Sequence, residues 1–235
     1  MANEQRVFPA TIFDFNGVLV DDEQVHCDAF RQVLLPLRIE FTDQRYFHEL
    51  IGFDDVGVFS LLLKEAGQNA SAFAVKQLVD AKKPLYMQRA REHLPTFPGA
   101  AAIIRDRARV GPVAVVSGAL RDEIELGLDS LGVREWVGHI VAAEDTVVSK
   151  PDPEGYLKGL AWVREQLGDP TAQAFVIEDS LDGIVAAKAA GLFTVAVAHS
   201  YSRAALEASE ADMVFDRLDE LTAETLNQLQ ATESS

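Results

Sequence analysis

The sequence predicts an α/β protein, a doubly wound parallel sheet with helices on both faces and an all-helical insertion. Three observations carry this expectation. Short, nearly uncharged runs rich in branched and aromatic residues recur along the chain, as expected of strands buried on both faces. Stretches with helical spacing of apolar residues separate them. One long interval, from about residue 22 to residue 94, contains no such run.

The first run, Pro9 to Phe15, reads PATIFDF and turns acidic at its end. Val113–Val116, Ala174–Ile177, Phe193–Val197 and Met213–Phe215 come after it, and His139–Ala142 is a shorter candidate. Helices are expected over about 98–108, 121–131, 153–167, 181–190 and 203–209, with a weaker helical pattern from Leu218. In the long interval Phe59, Leu62 and Leu63, then Phe73, Leu78, Leu85 and Met87, repeat at helical spacing. The stretch 70–93 reads as one helix, or as two meeting at Pro84, since proline normally breaks or kinks a helix. Phe41, Tyr46, Phe47 and Phe53 are expected mostly in the core of this insertion. The domain reading is therefore residues 1–19 with 95–235 as the core domain, and 20–94 as the helical insertion.

Composition narrows the function classes. The 235 residues carry 37 Asp and Glu against 21 Lys and Arg, a formal net charge of -16. Such a surface repels nucleic acid and anionic membranes, so neither is an expected partner. No apolar run approaches the roughly 20 residues that span a bilayer. The polar start Met1–Arg6 does not read as a secretory signal. The single cysteine, Cys27, excludes an internal disulfide and suits a reducing compartment. A cytoplasmic protein, monomer or homodimer, is the expectation.

The chemistry is expected where strands end. Asp14 closes the first run and is followed by Phe15, Asn16 and Gly17, the last permitting a tight turn. Glu178-Asp179-Ser180 comes directly after the run at Ala174–Ile177, with Asp182 and Gly183 next. In an open parallel sheet the loops beyond the carboxyl ends gather in one crevice, so these acidic groups should meet. Carboxylates at close quarters repel unless a cation neutralises them, and Mg²⁺, hard and oxygen-seeking, suits that role. Ser117-Gly118 ends the run Val113–Val116 and offers a hydroxyl and backbone N–H groups. Lys150 precedes a helix that Pro153 can open, a suitable clamp for phosphate. Singly each feature has an ordinary structural explanation: a solvated turn, a Ser-Gly turn, or a helix cap for Glu178-Asp179-Ser180. Four of them at four strand ends are not explained that way.

In this order the motifs resemble the haloacid dehalogenase-like superfamily, in its helical-cap branch, and the β-phosphoglucomutase-like phosphatases most. The resemblance covers about residues 8–216 and rests on Ile12–Asp21, Val115–Gly118, Ser149–Pro153 and Ile177–Ile184 leading to Ala186–Gly191. It implies a Rossmann-like core, a helical cap that closes to exclude water, and a small phosphorylated metabolite as substrate. It implies Asp14 as a nucleophile forming an aspartyl-phosphate, and Mg²⁺ held by Asp14, Asp179 and the backbone carbonyl of Asn16. Glu178 is implied as a further ligand or an acceptor just outside the metal shell. Ser117, Gly118 and Lys150 are implied to bind the phosphoryl group, Asp182 and Asp21 to support the site. His26, twelve residues after Asp14, sits where sugar-phosphate mutases of the family carry a cap histidine.

One position departs from the pattern. The phosphatases and mutases of the family carry aspartate two residues after the nucleophile, as general acid and then general base. Here it is Asn16, whose amide does neither. Loss of such a group typically costs about 10²–10⁴ in rate. Three readings are open: a substrate with a good leaving group, a different chemistry such as the family's dehalogenases or phosphonate hydrolases perform, or a non-catalytic phospho-ligand binding protein. Phosphonate hydrolases use a cap lysine, and Lys64, Lys76, Lys82 and Lys83 are present without one standing out. A sugar-phosphate mutase needs the missing acid/base most and ranks below the hydrolase.

Overall fold

A computed structural model describes residues 8–51, 53–222 and 225. The chain divides into two compact units, one holding the residues up to Asp21 and from Pro95 onward, the other Asp22–Leu94. The division falls after Asp21 rather than after residue 19. Val20 pairs with Thr96, the Asp21 N–H donates to the Pro95 carbonyl (3.0 Å) and the Phe97 N–H to the Leu19 carbonyl (3.1 Å).

In the first unit six strands form one parallel sheet: β1 (Ala10–Phe13), β2 (Val113–Val116), β3 (His139–Val141), β4 (Ala174–Glu178), β5 (Phe193–Val197) and β6 (Met213–Phe215). Their order is β3-β2-β1-β4-β5-β6, every pairing parallel. All four residues of β1 and of β2 are buried, as a sheet covered on both faces requires. On one side Ile12, Val116, Val176, Tyr156, Leu160 and Val163 share a cluster. Chain order reverses around β1, so its carboxyl end, beside those of β2 and β4, is the crevice such sheets offer to ligands.

The helical unit is built from α1 (Glu23–Leu34), the short α2 (Asp43–Arg45) running into a π turn at Tyr46–Leu50, α3 (Asp55–Glu65) and α4 (Ala72–Glu92). Asp54 and Ser71 cap α3 and α4 by accepting from the Gly57 and Ala74 N–H groups. Among the described residues of this interval there is no strand. Contrary to the two-helix alternative, α4 runs through Pro84 as one helix. Proline removes one backbone bond, but Val75 before it and Tyr86, Met87 and Ala90 after it are all buried. Packing on both sides of the proline outweighs the lost bond. Phe41 and Tyr46 are core residues, whereas Phe47, Phe53 and Phe73 are exposed, Phe73 by 72%.

The other helices belong to the first unit: α5 (Ala100–Ala108), α6 (Arg121–Ser130), α7 (Glu154–Leu167), α8 (Leu181–Ala189) and α9 (Arg203–Glu207). The helical pattern expected from Leu218 begins as a single 3₁₀ turn, Leu218–Glu220; its remainder, residues 223, 224 and 226–235, lies outside the described residues. No described helix is long and apolar enough to cross a membrane.

Candidate active site

The loop after β1 is fixed before any ligand arrives. The Asp14 N–H donates to the Ile177 carbonyl at 2.9 Å, tying the ends of β1 and β4 together. The Gly17 N–H closes the turn on the Val20 carbonyl at 2.9 Å, and Phe15 is fully buried. Gly17 has φ +75°, and a Cβ there would overlap the Asp179 carboxylate. Both its dihedral and its surroundings therefore require glycine.

Asp14, Glu178 and Asp179 are all buried, and each offers an oxygen within 4.8 Å of the others. The two acidic loops, 164 positions apart, do meet. Lys150 lies between two of these carboxylates, its Nζ 2.8 Å from Asp14 Oδ1 and 2.6 Å from Glu178 Oε1. The peptide bond Lys150–Pro151 is cis. Three carboxylates against one ammonium leave a surplus of negative charge in a desolvated place. The protein registers that surplus. Burial pushes the Asp14 carboxyl up to about 6 against the pull of Lys150. Asp179 is raised too, by burial first and then by the charges of Glu178 and Asp14. Burial opposes the charged form of Lys150, yet Asp14 and Glu178 outweigh it and hold the ammonium above its usual range.

Glu178 differs from its neighbours. Burial would raise it, but Lys150 and a set of hydrogen bonds pull it below the usual range. Its Oε1 accepts from Lys150 Nζ and from the Tyr156 hydroxyl (2.7 Å). Its Oε2 accepts from the Asp179 N–H, the Ser180 N–H and the Ser180 hydroxyl at 2.9–3.0 Å. Ser180 Oγ in turn accepts from the Gly183 N–H and caps α8. Gly183 makes room for this carboxylate, since a Cβ there would overlap it.

Ser117, buried at the end of β2, donates to Asn16 Oδ1 at 3.3 Å, and its own Oγ accepts from the Ala119 N–H at 3.1 Å. Gly118 is exposed, with open space where a side chain would stand. The donor set suits a hard divalent cation: buried carboxylate oxygens, under-neutralised, with neither sulfur nor imidazole among them.

The family described as haloacid dehalogenase-like hydrolase matches residues 11–197, which contain every residue of this cluster. The chain belongs to the haloacid dehalogenase-like hydrolases. It is 28% identical over 216 residues to the plasmid protein CbbY of Cupriavidus necator, covering 82% of this chain and 79% of that protein. It is 26% identical over 223 residues to validoxylamine A 7'-phosphate phosphatase of Streptomyces hygroscopicus subsp. limoneus, covering 92% of this chain and 96% of that enzyme. The crystal structure of CbbY from Rhodobacter sphaeroides in complex with phosphate superposes with a TM-score of 0.78 at 25% identity, over 92% of this chain and 96% of that one.

In this haloacid dehalogenase-like hydrolase the remaining expected site residues lie elsewhere. Asp182 is exposed in the first turn of α8, and the carboxylates that hold Lys150 are Asp14 and Glu178 instead. Asp182 falls on the outer side of α8, whose buried positions are Gly183, Ile184, Ala186 and Ala187, and Ser180 is already the cap. Asp21 is exposed at the junction with Pro95, where its charge acts on His199.

His26 belongs to the helical unit and is bound within it. Lys82 Nζ donates to its Nδ1 at 2.8 Å, and an ammonium can only donate, so Nε2 carries the hydrogen and faces Asp22 Oδ2 at 3.2 Å. The ring stacks on Tyr86 with centroids 4.3 Å apart, and the Tyr86 hydroxyl donates to the same Asp22 oxygen at 2.6 Å. Lys82 is 1% exposed, pairs also with Asp55, and lies 4.1 Å over the Phe30 ring. Of Lys64, Lys76, Lys82 and Lys83, Lys82 is the buried one.

Sequence reasoning missed Tyr156, His199 and Ser200. Tyr156 was hidden among helical core positions. The other two come directly after β5, and the rule that drew attention to the ends of β1, β2 and β4 applies there equally.

Proposed function

We propose that the chain is a Mg²⁺-dependent phosphatase of a small phosphorylated metabolite, working through an aspartyl-phosphate on Asp14. The observation that carries this reading is Lys150 held 2.8 Å from Asp14 beside a second buried carboxylate, Asp179. Asp14, Asp179 and the backbone carbonyl of Asn16 hold the metal, which when bound neutralises charge on the phosphoryl oxygens. Glu178, its oxygens occupied by protein donors, orients Lys150. Ser117, Lys150 and the backbone at Gly118 bind the phosphoryl oxygens.

In the first displacement an Asp14 carboxylate oxygen bonds to phosphorus while the bond from phosphorus to the ester oxygen breaks. In the second, water attacks phosphorus and the Asp14 carboxylate departs. The first step leaves an alkoxide needing a proton, and the second a proton needing an acceptor. Asn16 meets neither need, and its Oδ1 is engaged by Ser117. Alkyl phosphates are therefore slow substrates. Acyl and nitrophenyl phosphates, whose leaving oxygens depart unprotonated, are faster.

Turnover of p-nitrophenyl phosphate, acetyl phosphate and an alkyl monophosphate with Mg²⁺ tests this. The first two should exceed the third, and Asn16→Asp should raise the third at least about tenfold. Inactivity on all three, before and after that substitution, would overturn the enzyme reading. Asn16 itself favours the second reading, a phospho-ligand binding protein; it predicts thermal stabilisation by inorganic phosphate without turnover of any ester.

A further inference from the structure

The turn after β5 touches both halves of the acidic cluster. His199 meets the Gly17 carbonyl through Nδ1 at 2.7 Å and the Leu218 N–H through Nε2 at 3.3 Å. A backbone N–H only donates, so Nε2 accepts, the hydrogen sits on Nδ1, and Nδ1–H donates to Gly17. Phe97 stacks on the ring, centroids 3.9 Å apart and planes 12° from parallel, which fixes its orientation. One residue on, the Ser200 hydroxyl donates to Asp179 Oδ2. The vacant Cβ position of Gly17 lies against this same pair, 2.9 Å from Ser200 Oγ. The turn itself is anchored to the sheet by the Ala198 N–H on the Phe215 carbonyl at 2.9 Å.

The geometry points to this turn as a clasp. His199 and Ser200 are positioning residues that hold the Asp14–Gly17 loop and the Asp179 carboxylate in mutual register. The clasp rests on the phosphatase reading for its purpose. Lys150 offsets only part of the charge on the two carboxylate loops, and without a metal ion further contacts must help keep them at ligating distance. Ser200 fixes the rotation of the Asp179 carboxylate. His199 fixes the Gly17–Val18 peptide, which adjoins the peptide carrying the Asn16 carbonyl, the proposed third ligand. Neutral partners suit the task, because a lysine or arginine here would neutralise the site and compete with the metal.

Isothermal titration of the full chain with Mg²⁺, without substrate, tests the clasp apart from turnover. Ser200→Ala should weaken Mg²⁺ binding about tenfold to a hundredfold, the usual cost of losing a group that orients a metal ligand. His199→Ala should weaken it comparably, and His199→Asn, whose amide reaches the Gly17 carbonyl as Nδ1 does, should restore most of the loss. Ser200 is exposed, so its variant will fold even if His199→Ala does not. Wild-type affinity in Ser200→Ala would overturn the clasp while leaving the phosphatase reading intact. Absence of Mg²⁺ binding by the unaltered chain would overturn the metal site itself, and the clasp with it.

Discussion

Lys150 in the sheet unit and Lys82 in the helical unit are both withdrawn from water, and their surroundings differ in kind. Lys150 is 19% exposed and lies between two carboxylates, with the Tyr156 ring 5.1 Å from its Nζ. Lys82 is 1% exposed and has one carboxylate, Asp55, one imidazole nitrogen and the face of Phe30. The first environment is short of positive charge and gains from any further cation. The second also holds acids, buried Asp22 and half-buried Glu23, but Asp22 accepts from the Tyr86 hydroxyl and the His26 N–H and Glu23 from the Tyr46 hydroxyl, while Lys82 has Asp55, an acceptor nitrogen and an aromatic face. A reactive centre and a structural network can thus share the same residue type. Three acids packed within 4.8 Å of one another, rather than burial, mark the reactive centre.

The largest effect is expected from removing the central ammonium. Lys150→Met leaves Asp14 and Glu178 facing each other without a countercharge. Turnover of p-nitrophenyl phosphate should fall at least about a thousandfold, and metal-free stability by about 3 kcal/mol in urea unfolding. Saturating Mg²⁺ should recover part of the stability and little of the turnover. Lys82→Met should cost less, about 1–2 kcal/mol, because Asp55 is 30% exposed and can rehydrate while the methionine fills the space on Phe30. If the two substitutions prove equally destabilising without metal, the contrast between the two environments is wrong.

The smallest effect expected is on proton binding at His199. His199 is held neutral, its pKa lowered by burial, while Asp21 and Asp219 pull it the other way. A folded-state pKa below the unfolded value means that the unfolded chain binds more protons. The histidine's contribution is therefore complete above its ordinary value of about 6.5 and is lost as pH falls through it. The difference in stability between wild type and His199→Asn, measured from pH 7.5 to 5.5, should shrink on acidification. A constant difference would show that His199 does not titrate in that window. Taking the difference between the two proteins removes Asp14, whose raised pKa acts in the opposite direction.

Strand ends were legible in the chain because a buried strand is an uncharged run, and an acidic residue closing one is conspicuous. Asp14 and Glu178-Asp179 were accessible on those grounds, Ser117 as a hydroxyl closing another such run, Lys150 as a cation before a helix start, and residues 22–94 as an interval with no such run. Lys82 was not. Nothing in the spacing of Lys64, Lys76, Lys82 and Lys83 distinguishes the one buried side chain, because its partners Asp55 and His26 lie 27 and 56 positions away. Pro84 left one helix or two open for a related reason, since the packing that keeps α4 whole is tertiary. His199 and Ser200 escaped because neutral groups carry no charge signal; only the sheet's topology marks that turn. Asp182, an acidic residue in the same rich motif, is turned outward by its helical phase.

The saturation of Glu178 bears on which ion the crevice prefers. With Lys150, Tyr156, Ser180 and the Asp179 N–H already on its oxygens, this carboxylate has little capacity left for coordination. Calcium seeks six to eight oxygens at longer reach, whereas magnesium keeps several of its own waters and needs few from the protein. If the proposed metal site holds, a pocket that withholds one of its three acids from the ion would discriminate by scarcity of ligands and favour the smaller, more tightly hydrated of the two.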